Sequence, residues 1–137
     1  FEVVCDRDHP LRQRQSLSLA DLAQAQWILP SETVRARQWL AAAFRSKGLP
    51  EPAVRVEAEF GRVSIWPLAQ GSGLLTLCND SNLPAARRRG LEVLPVLDLD
   101  MQRQVGVMTR AGGWRSPLSE RLTQLLKLNA DSAATPS

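Results

Sequence analysis

Apolar positions along the chain change period several times, and each change marks an element. Residues 1–5, Phe-Glu-Val-Val-Cys, form a short β-branched run that predicts a strand. Residues 27–29, Trp-Ile-Leu, form a second, closed by Pro30. From 32 to 47 the period becomes helical. Ala36, Trp39, Leu40, Ala43 and Phe44 fall on one stripe, with Arg35, Gln38, Arg45 and Lys47 off it. Ser31 suits an N-cap, Glu32 a first turn and Gly48 a helix end. Across 53–59, Val54, Val56 and Ala58 alternate with Arg55, Glu57 and Glu59, the pattern of a half-exposed strand.

Further along, 60–70 predicts a helix in which Pro67 sits badly or which it kinks, and Gly71-Ser72-Gly73 a turn into a strand over 74–78. Residues 83–89 read as a helix, 91–97 and 104–110 as strands, and 116–128 as a helix with Pro117 in its first position. Leu118, Leu122, Leu125 and Leu126 form the stripe of that last helix, and 129–137 read as a disordered tail. A shorter helical turn at 18–22 takes Ser18 as its cap. Strands alternating with helices over short connections mean an α/β layered fold. Phe1 lies inside a strand-like run, so a preceding segment is expected.

Composition narrows the function more by exclusion than by assertion. The 137 residues are 44% hydrophobic and 23% charged, ordinary for a soluble globular chain. No apolar run reaches the roughly 20 residues that span a bilayer. The net charge is +3, and no segment concentrates enough positive charge for a nucleic-acid footprint. Arg87-Arg88-Arg89 ahead of Gly90 reads as a solvated helix end, where cations suit the helix dipole. Cys5 and Cys78 stand in apolar runs and read as small buried hydrophobes in a reducing compartment.

Catalytic chemistry is thin. The single histidine, His9, sits between Asp8 and Pro10 with no second histidine near it, and reads as a hydrogen-bonding turn residue. No Cys/His spacing suits a metal, and no serine stands in a nucleophile elbow. Gly71-Ser72-Gly73 lies between helix and strand, the reverse of the order a phosphate cradle needs. An enzyme and a cofactor are therefore not expected. The informative stretch is 27–33, Trp-Ile-Leu-Pro-Ser-Glu-Thr, where a buried strand gives way to a long helix. Ligands of open α/β sheets bind beyond the carboxyl ends of strands, and a helix start offers unpaired N–H groups to an anion. Ser31 and Thr33 add hydroxyls and Arg35 a guanidinium, although both hydroxyl residues serve equally as caps.

Several motifs follow one another in an order that belongs to one family. They are Asp8-His9-Pro10-Leu11, Leu19-Ala20-Asp21-Leu22 and Trp27-Ile28-Leu29-Pro30, then Phe44, Gly48-Leu49-Pro50 and Leu68-Ala69-Gln70-Gly71-Ser72-Gly73-Leu74. Gly106-Val107, Arg110 and Ser116-Pro117 complete the series. Over residues 1–128 the chain resembles the C-terminal part of the effector-binding domain of LysR-type bacterial transcriptional regulators.

That resemblance implies a periplasmic-binding-protein type II-like α/β fold. Residues 1–98 would be lobe II, and 99–128 the strand and helix that return to lobe I. It implies a small effector in an interlobe cleft, contacted by Ser31, Thr33 and Arg35, with Phe60 beside them, and the helix start itself makes an anionic one the expectation. It further implies a cytoplasmic homodimer or tetramer, no membrane contact, and DNA bound only by an N-terminal winged helix-turn-helix outside these residues. Leu77-Cys78-Asn79 departs from the family, which places a strand ending in proline there, so no ligand class is carried over. A solute-binding lobe of a transport system shares the fold and is the alternative.

Overall fold

The computed structural model describes residues 1–59, 65–102 and 106–133, without the side chains of 130–133. It divides into two units, residues 1–102 and residues 103–137.

At the centre of the first unit lies β1, Glu2–Asp6, antiparallel to β4, Thr76–Cys78, on one side and to β5, Leu91–Val93, on the other. Val3, Val4 and Cys5 are all buried, because both faces of this strand are covered and the run has no polar side to show. The next two strands, β2, Gln26–Leu29, and β3, Ala53–Glu57, are parallel, with Leu29 opposite Glu57. Leu75 joins the two sheets: Ile28 N–H donates to its carbonyl at 2.8 Å, and its own N–H donates to the Gln26 carbonyl at 2.9 Å. The spatial order is thus β3-β2-β4-β1-β5. As the alternation requires, Val54, Val56 and Ala58 are half-buried while Arg55, Glu57 and Glu59 are exposed.

Helices cover both faces. One face packs Val3, Trp27, Leu29 and Leu77 against Ala36, Leu40 and Phe44 of α1, Arg35–Ser46. Trp27 and Phe44 meet edge to face with ring centroids 6.3 Å apart. The other face packs Val4, Ile28 and Cys78 against Ile65 and Ala69 of α2, Ile65–Ala69, and Ala86 of α3, Leu83–Arg88. The stripe expected of α1 is the one it buries. The helix closes where Gly48, at φ +67°, turns the chain so that Leu49 N–H reaches the Phe44 carbonyl at 3.0 Å.

Several expectations are corrected. The helix expected over 32–47 begins at Arg35, with Val34 and not Ser31 as the residue before it. Residues 31–34 instead form a turn, in which Val34 N–H donates to the Ser31 carbonyl at 2.9 Å. Side chains of α1 hold that turn apart from the helix: Arg37 donates to the Pro30 carbonyl and Gln38 to the Glu32 carbonyl. Pro67 is accommodated within the helical run of α2, Ile65–Ala69. The remainder of the helix expected over 60–70 includes residues 60–64, which lie outside the described residues. The strand expected over 91–97 stops at Val93, since Pro95 has no N–H to donate and Leu97 turns away to bond the Leu17 carbonyl at 2.8 Å.

In the second unit, residues 106–110 form no strand: a strand exists through its ladder, and no neighbouring strand bonds to them among the described residues. Residues 103–105 are outside the description. Helix α4, Pro117–Ala133, begins at the expected proline, and Ser116 Oγ accepts from Ser119 N–H at 3.2 Å. It runs on through residues expected to be a disordered tail. Leu118, Leu122, Leu125 and Leu126 are exposed along it. No helix of the described residues is long and apolar enough to cross a membrane.

Candidate functional site

The carboxyl ends of β2 and β3 lie side by side, and the turn leading to α1 sits directly beyond them. Ala58 N–H donates to the Leu29 carbonyl at 3.0 Å, which extends the β2–β3 ladder to the edge of this turn. Within the turn, Ser31 Oγ and Thr33 Oγ1 are 3.2 Å apart, so the two hydroxyls share one small region of surface. Arg35 follows as the first helical residue, exposed and without a carboxylate partner within ion-pair distance among the described residues. The structure thus brings Ser31, Thr33 and Arg35 together. Phe60 lies outside the described residues.

A helix that begins after valine has no side-chain cap. The N–H groups of Arg35, Ala36 and Arg37 accordingly have no acceptor among the described residues, while Gln38 N–H is the first to reach back, to the Val34 carbonyl at 3.2 Å. Free N–H groups carry the positive end of the helix dipole. Next to them stand two hydroxyls and one unpaired guanidinium. This set of donors suits a carboxylate or another oxyanion, and holds no nucleophile with a base beside it.

Arg37 is the residue that sequence reasoning missed. Its guanidinium donates to the Pro30 carbonyl at 2.8 Å, to Glu57 Oε2 at 2.9 Å and to Glu32 Oε1 at 3.0 Å. Only 15% of the side chain is exposed, against 83% of Glu32 and 58% of Glu57. One planar group therefore fastens the end of β2, the end of β3 and the turn to the first turn of α1. No local spacing announces it, because Glu32 is five residues away and Glu57 twenty, neither a helix-neighbour separation.

His9 serves the far end of the sheet. Its Nδ1 accepts from Leu11 N–H and its Nε2 lies 3.2 Å from the Gly73 carbonyl, so the Nε2–H tautomer satisfies both. It ties the 71–73 turn to the start of the chain as a hydrogen-bonding turn residue. Asp6 does the same, accepting from the N–H groups of Asp8 and Gly71 at 2.9 Å each, which holds its carboxyl below the usual range. Burial pushes the thiols of Cys5 and Cys78 up to about 12 and about 11, and neither is paired in a disulfide.

With the geometry in hand, comparison with known proteins decides the family: the LysR substrate binding domain matches residues 1–130. The chain belongs to that family. The Synechocystis PCC6803 CcmR regulatory domain in complex with 2-PG superposes over 99% of this chain and 64% of its own, with a TM-score of 0.75 at 18% identity. The effector-binding domain of QuiR in complex with shikimate superposes over 90% of this chain and 61% of its own, with a TM-score of 0.65 at 19% identity. Among curated proteins, the HTH-type transcriptional regulator GalR of Pseudomonas putida is 32% identical over 126 residues, which are 91% of this chain and 31% of that regulator. The fold is therefore the periplasmic-binding-protein type II-like architecture of LysR effector domains, and the chain spans under a third of that regulator.

Proposed function

We propose that this LysR-type domain senses a small anionic effector, held at the uncapped start of α1 by Ser31, Thr33 and Arg35, with Phe60 as a further contact. The observation that carries the reading is the turn itself. Among the described residues, three N–H groups without acceptors, two hydroxyls 3.2 Å apart and a guanidinium without a carboxylate partner stand at the carboxyl ends of parallel strands. The structural neighbours hold small molecules, shikimate and 2-PG, which supports a small effector here.

In the full-length protein, residues 1–98 are lobe II and 99–128 return to lobe I, so that the effector sits in the cleft between lobes. Binding that favours one arrangement of lobes or protomers alters DNA contacts made by a winged helix-turn-helix domain outside these residues. The protein acts in the cytoplasm as a homodimer or tetramer, without enzymatic activity of its own. Its curated relative is a transcriptional regulator, which favours this reading over a lobe of a transport solute-binding protein. Thermal unfolding in the presence of a panel of small carboxylates tests the proposal: one or more raises the unfolding midpoint, and a panel without effect contradicts it.

A further inference from the structure

At the opposite end of the sheet from the effector turn, a groove of about 460 Å³ is lined by Arg7, Asp8, His9, Arg12 and Gln13. The Arg12 guanidinium is held in place. Arg12 Nη1 donates to the Arg7 carbonyl at 2.7 Å. Arg7 N–H donates to the Gly90 carbonyl at 3.0 Å, and the Arg7 side chain lies so close over Gly90 that a methyl group there would stand 2.9 Å from Nη2. Gly90, at φ +77°, thus provides both the turn and the space.

The remaining arginines with partners make the contrast: Arg14 pairs with Asp21, Arg37 with Glu32 and Glu57, and Arg45 with Glu51. Among the described residues neither Arg7 nor Arg12 has a carboxylate within 4 Å, although Asp8 lines the same groove.

We infer that this groove is a second anion site, distinct from the effector turn, which takes a small phosphate-bearing molecule between the Arg7 and Arg12 guanidiniums. Guanidinium forks bind phosphate oxygens bidentately, and one already held by a hydrogen bond loses less freedom on binding. The Asp8 carboxylate opposes such a ligand and limits its affinity. This assignment does not rest on the effector reading, since it shares no residue with that site.

Inorganic pyrophosphate titrated at constant ionic strength, followed by calorimetry, is the probe. Saturable binding is expected with a Kd of about 1 mM. Arg12→Gln weakens it about tenfold and Asp8→Asn tightens it about threefold, opposite signs that follow from charge alone. Thr33→Ala leaves it unchanged. Because Arg12 also bonds the Arg7 carbonyl, Asp8→Asn provides the arm that does not depend on the integrity of that contact. A short DNA duplex, titrated in parallel, separates a free phosphate from a nucleic-acid backbone. Binding of the duplex without pyrophosphate overturns the inference, as does no saturation by pyrophosphate up to about 10 mM or indifference to both groove variants.

Discussion

Arg37 donates to Glu57 across 2.9 Å, and this contact joins the first turn of α1 to the last residue of β3. The same guanidinium holds Pro30 and Glu32, so the shape of the 31–34 turn depends on a residue outside it. Removing it is expected to release residues 31–34 and leave two glutamates without their cation. Arg37→Ala should lower stability by about 1–2 kcal/mol in urea unfolding, more than an exposed ion pair is worth, because the guanidinium is largely buried. Arg37→Lys should recover only part of this, since an ammonium cannot span three acceptors on different segments.

Cys5 and Cys78 should be inert in the folded protein. With thiols pushed up to about 12 and about 11 by burial, the thiolate fraction at neutral pH is very small and access is closed. A thiol-reactive reagent at pH 7 is expected to label both only at the rate of unfolding, and to label both at once in denaturant. Rapid labelling of the native protein would contradict the burial of β1 and β4.

Acid should destabilise the first unit through three carboxylates. Asp6 is held down by the N–H groups of Asp8 and Gly71, Asp21 by the N–H and hydroxyl of Ser18, and Asp98 by Leu19 N–H and Lys47. Each is a better acid in the folded chain than in the unfolded one. Its contribution is therefore complete above the unfolded value of about 3.9 and is lost as pH falls through the lower folded value. The unfolding midpoint should be flat with respect to these groups from about pH 5 to 7 and decline below about pH 4. Asp98→Asn should reduce that decline and lower stability at neutral pH.

The α4 leucines lead to a prediction about association. Leu118, Leu122, Leu125 and Leu126 are exposed along one helix, an apolar stripe that water does not tolerate at high concentration. Sedimentation should find this chain self-associating, and Leu122→Glu with Leu125→Glu should shift it toward monomer without changing the urea midpoint of the first unit. A chain that stays monomeric at high concentration would contradict the oligomeric reading.

How much of this was legible in the sequence varies by the range of the interactions. The stripe of α1 was, because Ala36, Leu40 and Phe44 repeat at the helix period whatever lies beyond. The alternation of β3 was, for the same reason. The start of α1 was not: Ser31 and Glu32 are good residues for a helix start, yet the side chains of Arg37 and Gln38 claim the carbonyls of Pro30 and Glu32 and keep the turn separate. Gln104 to Arg110 has the residues of a strand, but strand formation depends on a partner that no local pattern describes, and 106–110 have none among the described residues. Of the proposed effector contacts, Ser31, Thr33 and Arg35 could be chosen by position in a motif. Arg37 could not, since its partners arrive through the parallel pairing of β2 with β3.

The most direct test of the central claim is calorimetric titration of a stabilising carboxylate into the protein and into Thr33→Ala. Thr33 is exposed and, among the described residues, its hydroxyl bonds only Ser31, so its loss should change stability by less than about 0.5 kcal/mol. The account predicts a saturable heat in the parent protein and an affinity about tenfold weaker in the variant. Equal affinities in the two proteins would contradict a binding site at the start of α1.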